Sequence, residues 1–92
     1  IAPQIAYYLG LGQLQMAVAA DNEAQGASDR SQVQARCDAV RRGADLLSQA
    51  EANVTAGGRT NPDQAQQILT QAIPAYRQRA QVFSRQARCP AQ

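Results

Sequence analysis

The chain has 92 residues, is 45% apolar and carries a formal charge of +2, which fits one small domain with a limited core. It contains no histidine and no lysine, so it lacks the most common general base, the imidazole metal ligand and the amine of Schiff-base chemistry. The weak positive charge argues against a nucleic-acid partner. No apolar run approaches the roughly 18 residues that a membrane span needs.

The first predicted helix covers residues 3–22, with Pro3 in its first turn. One apolar face carries Ile5, Tyr8, Leu9, Gly12, Met16 and Ala19. A neighbouring apolar stripe carries Tyr7, Leu11, Leu14 and Val18. A helix that is apolar over so wide an arc lies at the centre of a bundle or packs against a second copy. Gly10 and Gly12 predict either a close helix crossing or a local kink.

Residues 21–29 form the first predicted linker, in which Ser28 or Asp29 can cap the following helix. The second predicted helix covers residues 30–56 and carries a narrow apolar seam with coiled-coil spacing. The seam consists of Val33, Cys37, Val40, Ala44, Leu47 and Val54, with the charged Glu51 at one position that should be apolar. Gly57 and Gly58 predict a left-handed cap at the C-terminal end of this helix.

The third predicted helix covers residues 62–88. Its start is the clearest local signal in the chain, because Asn61 is a cap residue, Pro62 suits the first helical position and Gln64 can close a capping box. Pro74 lacks an N–H group and clashes with the preceding turn, which predicts a kink or a break. The expected inner face carries Ala65, Ile68 or Leu69, Ala72, Tyr76, Ala80, Phe83 and Ala87.

The short turn near Arg59 makes the second and third helices antiparallel neighbours. The predicted fold is therefore all-α: a long antiparallel helical hairpin with the N-terminal helix packed on it, forming a three-helix bundle. Cys37 and Cys89 then lie at the same end of the hairpin, but regular helices would leave them about eight residues, or about 12 Å, out of register. A kink at Pro74 or a fold-back after Arg85 has to absorb that offset. Otherwise the disulfide is intermolecular or absent.

A structural disulfide predicts an oxidising compartment, either the periplasm or the outside of the cell. Because the chain begins at Ile1 rather than Met, we expect a mature form after signal removal or a trimmed chain. The two cysteines do not form a CxxC motif and the carboxylates are dispersed, so we expect neither a redox motif nor a metal site. Without a nucleophile motif or a phosphate-binding glycine loop, we predict no enzyme and no cofactor.

Arginines gather toward one end of the predicted hairpin, where Asp38 and Asp45 can pair with Arg41 and Arg42. The candidate partner-binding arginines are Arg41, Arg42, Arg77, Arg79, Arg85 and Arg88. Such a basic end can receive an acidic protein surface or an anionic lipid head group, and the alternative interpretation is a solvated helix face. Tyr7 is the candidate aromatic anchor, because Tyr7 and Tyr8 point to different faces and one of them should be exposed.

These features together predict a small exported protein that binds another protein. Two roles fit that description: an inhibitor or immunity-type protein that blocks a secreted enzyme or toxin, and an accessory subunit of an envelope or secretion assembly. Two alternatives stay open. One is carriage of a small apolar ligand in a cavity between the first helix and the hairpin. The other is a structural homodimer formed through the apolar first helix.

Overall fold

A computed structural model of the protein describes residues 1–26 and 32–90. Within that part of the chain the structure is helical and confirms the all-α bundle. The helices are α1 (Pro3–Gly26), α2 (Val33–Ala56) and α3, which passes without a gap through Pro62–Gln67, Ile68–Ala72 and Ile73–Gln86. A single 3₁₀ turn at Gly58–Thr60 joins α2 to α3. Consecutive helices are antiparallel, so α1 and α3, which contact each other through Tyr7 with Gln64 and Asp21 with Arg79, run parallel.

Helix α1 continues four residues beyond its predicted end and takes in much of the predicted linker. Tertiary contacts stabilise this last turn: Ala24 is fully buried, and its carbonyl oxygen accepts a hydrogen bond from Arg36 Nε at 2.7 Å. Helix α2 begins at Val33 with Gln32 at its N-cap. The predicted caps Ser28 and Asp29 lie outside the described residues.

Glycine brings α1 and α2 into the most extensive helix contact of the fold. A Cβ atom on Gly10 would lie 2.8 Å from Val54 Cγ2 and 3.2 Å from the carbonyl oxygen of Ala50, both shorter than ordinary van der Waals contact. A Cβ atom on Gly12 would meet nothing within 4 Å. The predicted close crossing is therefore confirmed at Gly10, while Gly12 faces away from the bundle.

Gly57 ends α2 with φ −104° and ψ 12°, so the predicted left-handed cap is wrong. The residue is glycine because α1 passes against it. A Cβ atom there would lie 2.2 Å from the carbonyl oxygen of Pro3 and 2.5 Å from the backbone nitrogen of Tyr7. The need for a close approach, rather than for a positive φ, explains the glycine.

The expected disturbance at Pro74 takes the form of a π-helical turn over Ile68–Ala72. Ile73 donates its backbone N–H to the carbonyl oxygen of Ile68, five residues earlier, and keeps right-handed helical dihedrals. The extra residue of a π turn lets Ile68 and Ile73 face the same side, and both are buried. Ile73 thus belongs to the inner face of α3, where the regular helical spacing had predicted Ala72.

The C-terminal end of α3 folds back and brings Cys89 to Cys37. Arg88 adopts φ 57°, Cys89 donates its N–H to the carbonyl oxygen of Ser84 at 2.8 Å, and Arg88 donates to that of Arg85 at 3.3 Å. These are the two hydrogen bonds of a Schellman motif. Cys37 and Cys89 form a disulfide with a Cα–Cα distance of 5.6 Å. The π turn and this fold-back absorb the expected offset, so the predicted intramolecular staple is confirmed.

The core is thin and rich in alanine. Its main cluster lies where all three helices meet and contains Tyr7, Ala17, Leu47, Ala50, Val54, Ala65, Ile68 and Ile73. A second cluster lies near the disulfide and contains Ala24, Ala39, Val40 and Phe83. Since alanine buries little apolar area, such a core leaves the helices close together and contributes little hydrophobic stabilisation per residue.

Candidate interaction surfaces

The apolar arc of α1 is covered on one side only. Its inner stripe, which includes Tyr7, Gly10 and Ala17, is buried against the other helices. Its other side, which we call the α1 outer face, consists of Ile5, Tyr8, Leu9, Gly12, Met16 and Ala19. Four of these side chains are large and exposed: Ile5 to 60%, Tyr8 to 58%, Leu9 to 46% and Met16 to 59%. The folded chain therefore presents a continuous apolar helix face to solvent.

No charged side chain interrupts this face. The first 20 residues contain no Asp, Glu or Arg, so every charged side chain of the protein comes from residue 21 onward. From Ile5 to Ala19 the face extends about 21 Å along the helix. The largest apolar patch of a typical monomer measures about 300–600 Å² and is often a functional surface. The α1 outer face is the first candidate surface.

Tyr7, the predicted aromatic anchor, lies in the core. It is 1% exposed, its hydroxyl donates a hydrogen bond to Gln64 Oε1, and burial raises the pKa of the phenol. Tyr8 packs edge-on against the Tyr7 ring, with the ring centroids 5.4 Å apart, and presents its own ring to solvent. Of the two tyrosines, Tyr8 is therefore the one available as an anchor.

Arg77 forms an interhelical ion pair and explains the charged residue in the α2 seam. It donates two hydrogen bonds to Glu51, from Nη1 to Oε2 at 2.8 Å and from Nη2 to Oε1 at 3.3 Å. These hydrogen bonds hold the pKa of the Glu51 carboxyl below its usual value, although partial burial opposes the shift. Paired with Arg77, Glu51 thus occupies a position between α2 and α3 where the apolar seam of α2 would otherwise place an apolar side chain.

This ion pair gives the fold a weak dependence on pH with a definite sign. Folding lowers the pKa of this carboxyl from its unfolded value of 4.5. The ion pair therefore stabilises the folded state at pH values above 4.5, and this contribution is lost as the pH falls through the lower pKa of the folded state. Both side chains are more than one-third exposed, so we expect Glu51→Gln to cost about 0.5 kcal/mol near pH 7. Urea unfolding should show this difference shrinking below pH 4.5. A pH-independent difference would contradict the assignment.

Two more of the predicted partner-binding arginines form contacts within the molecule. Arg79 donates from Nε and Nη2 to Oδ2 of the buried Asp21, at 3.0 and 2.8 Å, and this contact raises the pKa of the guanidinium. Arg42 pairs with Glu23 at 2.7 Å instead of with an aspartate of its own helix. Asp38 accepts a hydrogen bond from Gln34. The sequence could not show the pairs of Arg79 with Asp21 and of Arg42 with Glu23, because in each pair the two residues lie on different helices.

The remaining predicted arginines, Arg41, Arg85 and Arg88, form no ion pair with a described residue. All three are exposed, and they lie on the segments that the disulfide joins. A groove of about 270 Å³ runs beside the disulfide between α2 and α3, with Val40, Ala44 and Ala80 among its apolar lining and Arg41 at its edge. We call Arg41, Arg85 and Arg88 the basic cluster. It is the part of the predicted basic end that remains accessible.

Arg88 occupies a left-handed backbone conformation that glycine adopts at lower cost. Arg88→Gly is expected to stabilise the fold by about 0.5–1 kcal/mol, because the relief of steric strain exceeds the entropy that glycine adds to the unfolded chain. Arg88→Ala removes the same charge but keeps the strain, so it serves as the matched control. Thermal unfolding of the two variants checks the expectation. Equal midpoints would show that the left-handed position carries no strain.

A small space lies where Ala17, Leu47 and Tyr76 of the three helices meet. It measures about 10 Å³, about the size of a single water molecule. Within residues 1–26 and 32–90, no three His, Cys, Asp or Glu side chains are placed to bind a metal ion together. In the same ranges no helix combines the length and apolar composition that crossing a bilayer requires.

Among residues 1–26 and 32–90, the geometry thus gives two candidate interaction surfaces, the α1 outer face and the basic cluster. Comparison with known proteins adds no identification, since no family model, no curated protein and no solved structure matches the chain.

Proposed function

We propose that this protein is a non-enzymatic binding protein, and that it works as an accessory subunit of a protein assembly by docking through the α1 outer face. The observation that carries the proposal is the exposure of Ile5, Tyr8, Leu9 and Met16 on a helix face without charge. Leaving that area in water costs free energy that association would recover, at roughly 25 cal/mol for each Å² removed from water.

The character of the face favours a subunit over an inhibitor. Surfaces that stay buried in permanent assemblies are more apolar than those of transient complexes. An inhibitor that captures a secreted enzyme gains from complementary charges, which accelerate association, and the α1 outer face has none. The basic cluster can contribute secondary contacts to an acidic neighbour in the assembly.

The location proposed for the assembly is the periplasm or the outside of the cell. The Cys37–Cys89 disulfide supports this location, because structural disulfides persist in oxidising compartments and are rare in the cytosol of most organisms.

The test is a capture experiment with oxidised protein as bait and envelope and secreted fractions of the source organism as prey. Three baits are compared: the natural chain, a Tyr8→Glu, Met16→Glu double variant, and Val33→Glu. Val33 is 42% exposed at the start of α2, so its substitution places a charge on an apolar surface position elsewhere. We expect a stoichiometric partner that is lost with the double variant and retained with Val33→Glu.

The size of the captured complex separates the two roles. A subunit should co-elute with a larger assembly, whereas an inhibitor should form a one-to-one complex and abolish an enzymatic or toxic activity. Identical partners on all three baits would show that the α1 outer face is not the docking surface. A fourth bait, Arg41→Glu, Arg85→Glu, tests the basic cluster, and loss of the partner with this bait alone would assign the docking role to that cluster.

A further inference from the structure

We propose that the α1 outer face receives a second copy of itself, with the two α1 helices antiparallel about a two-fold axis that passes at Gly12. The inference rests on the proposed function, because it names a partner for the same surface. The prediction that follows is a homodimer whose contact is centred on α1.

The spacing of the face is symmetric about Gly12. Five of its six positions, Ile5, Tyr8, Gly12, Met16 and Ala19, are separated by three, four, four and three residues, while Leu9 stands outside this series. This order reads the same in both directions from Gly12. A two-fold axis that reverses the helix direction brings each position opposite the one equally far from the centre, because a two-fold interface uses the same patch on both copies. Ile5 then meets Ala19 of the second copy, and Tyr8 meets its Met16.

The shape of the face at Gly12 suits a close helix crossing. Gly12 has open space where a Cβ atom would be, so two helices can approach closely there. Side chains on a helix lean toward its N-terminus, so Met16 leans toward Gly12 of its own chain. In the antiparallel arrangement the two Met16 side chains converge on the space left by the two glycines.

The distribution of charge favours contact through this face. Identical copies of a protein with net charge +2 repel one another weakly wherever their charged surfaces meet. The α1 outer face itself carries no charged side chain, and the ion pair of Glu23 with Arg42 lies beside its Met16 end. The antiparallel arrangement also sets the N-terminal end of each helix beside the C-terminal end of the other, which the helix dipoles favour.

The size of the contact sets the expected affinity. A 24-residue helix is about 36 Å long and about 10 Å wide, so one face of it has an area of about 360 Å². This area is smaller than the roughly 800 Å² per partner of a standard interface. We therefore expect this contact alone to give a dimer that dissociates on dilution, whereas the permanent association of an assembly needs further contacts. Sedimentation velocity across a concentration series should show this transition, and Tyr8→Glu should keep the protein monomeric while Val33→Glu leaves the dimer intact.

Single-cysteine variants of the full, oxidised chain test the orientation. Gly12→Cys should form an intermolecular disulfide with itself. In an antiparallel dimer the two copies of position 8 lie about 12 Å apart along the helix, beyond the roughly 7 Å Cα separation that a disulfide spans. Tyr8→Cys should therefore cross-link only when mixed with Met16→Cys. Val33→Cys supplies the background rate, and circular dichroism melting confirms that each variant is folded.

Each result of these measurements decides the inference. Cross-linking of Gly12→Cys with itself, and of Tyr8→Cys with Met16→Cys, together with concentration-dependent sedimentation, supports it. Self-cross-linking of Tyr8→Cys would indicate a parallel dimer and overturn it, as would a monomer at every concentration with cross-linking at background. If that monomer still loses its captured partner through Tyr8→Glu, Met16→Glu, the second copy is excluded while the proposed function stands.

Discussion

Removal of the Cys37–Cys89 disulfide is expected to lower the free energy of unfolding by about 4 kcal/mol in the chain-entropy model, since the bond closes a loop across 52 positions of sequence. Small domains have only about 5–15 kcal/mol in total, and this one has an alanine-rich core. The bond also holds the end of α3 against α2 beside the cluster formed by Val40 and Phe83. We expect the reduced protein to be marginally stable near 37 °C.

Two routes break the bond by different chemistry and should agree. One is the Cys37→Ala, Cys89→Ala double variant, and the other is reduction of the natural chain with thiols kept reduced throughout urea unfolding. Each free energy is compared with that of the oxidised protein by linear extrapolation. A loss below about 1 kcal/mol by both routes would mean that packing alone holds the helices.

Gly57→Ala is expected to cost about 3 kcal/mol, the upper part of the range for overpacking. The added methyl group would lie 2.2 Å from the carbonyl oxygen of Pro3 and 2.5 Å from the backbone nitrogen of Tyr7. Both are backbone atoms, so no side-chain rotation can relieve the contact. The start of α1 has to move away from the end of α2, which disturbs the packing of the buried Tyr7 ring.

Gly12→Ala is the matched control, since it makes the same chemical change in a place with nothing within 4 Å. At protein concentrations low enough to keep the chain monomeric, it should stabilise α1 by up to about 1 kcal/mol, because alanine has the higher helix propensity. Thermal and urea unfolding of both variants test the pair. Similar effects of the two substitutions would contradict the assignment of Gly57 to a close helix contact.

The basic end shows how far residue type alone can predict a surface. Six arginines stood out as candidates because their helices gathered them at one end. Arg42, Arg77 and Arg79 instead pair with carboxylates on other helices, and Tyr7 is buried while Tyr8 is exposed. Helical periodicity shows which side chains share a face. It does not show which face a neighbouring helix covers.

The sequence by itself determined the features that depend on short-range interactions. These are the all-α class, the start of α3 at Asn61 and Pro62, the hairpin turn and the end of the bundle where Cys37 meets Cys89. Asn61 accepts a hydrogen bond from the backbone N–H of Gln64, as its role as a cap predicts. The Gln64 side chain, which was expected to close a capping box, instead accepts a hydrogen bond from the Tyr7 hydroxyl. Such signals involve residues within one or two turns of each other, so they can be read directly along the chain.

Only the tertiary structure decided the features that depend on the distance between helices. Four features are of this kind: the contact at Gly57, the π turn that buries Ile73, the extension of α1 past residue 22, and the outward direction of the apolar face. Each is settled by which backbone or side chain of another helix comes within a few ångströms. Helix propensity and periodicity do not specify that distance, because they describe one helix at a time.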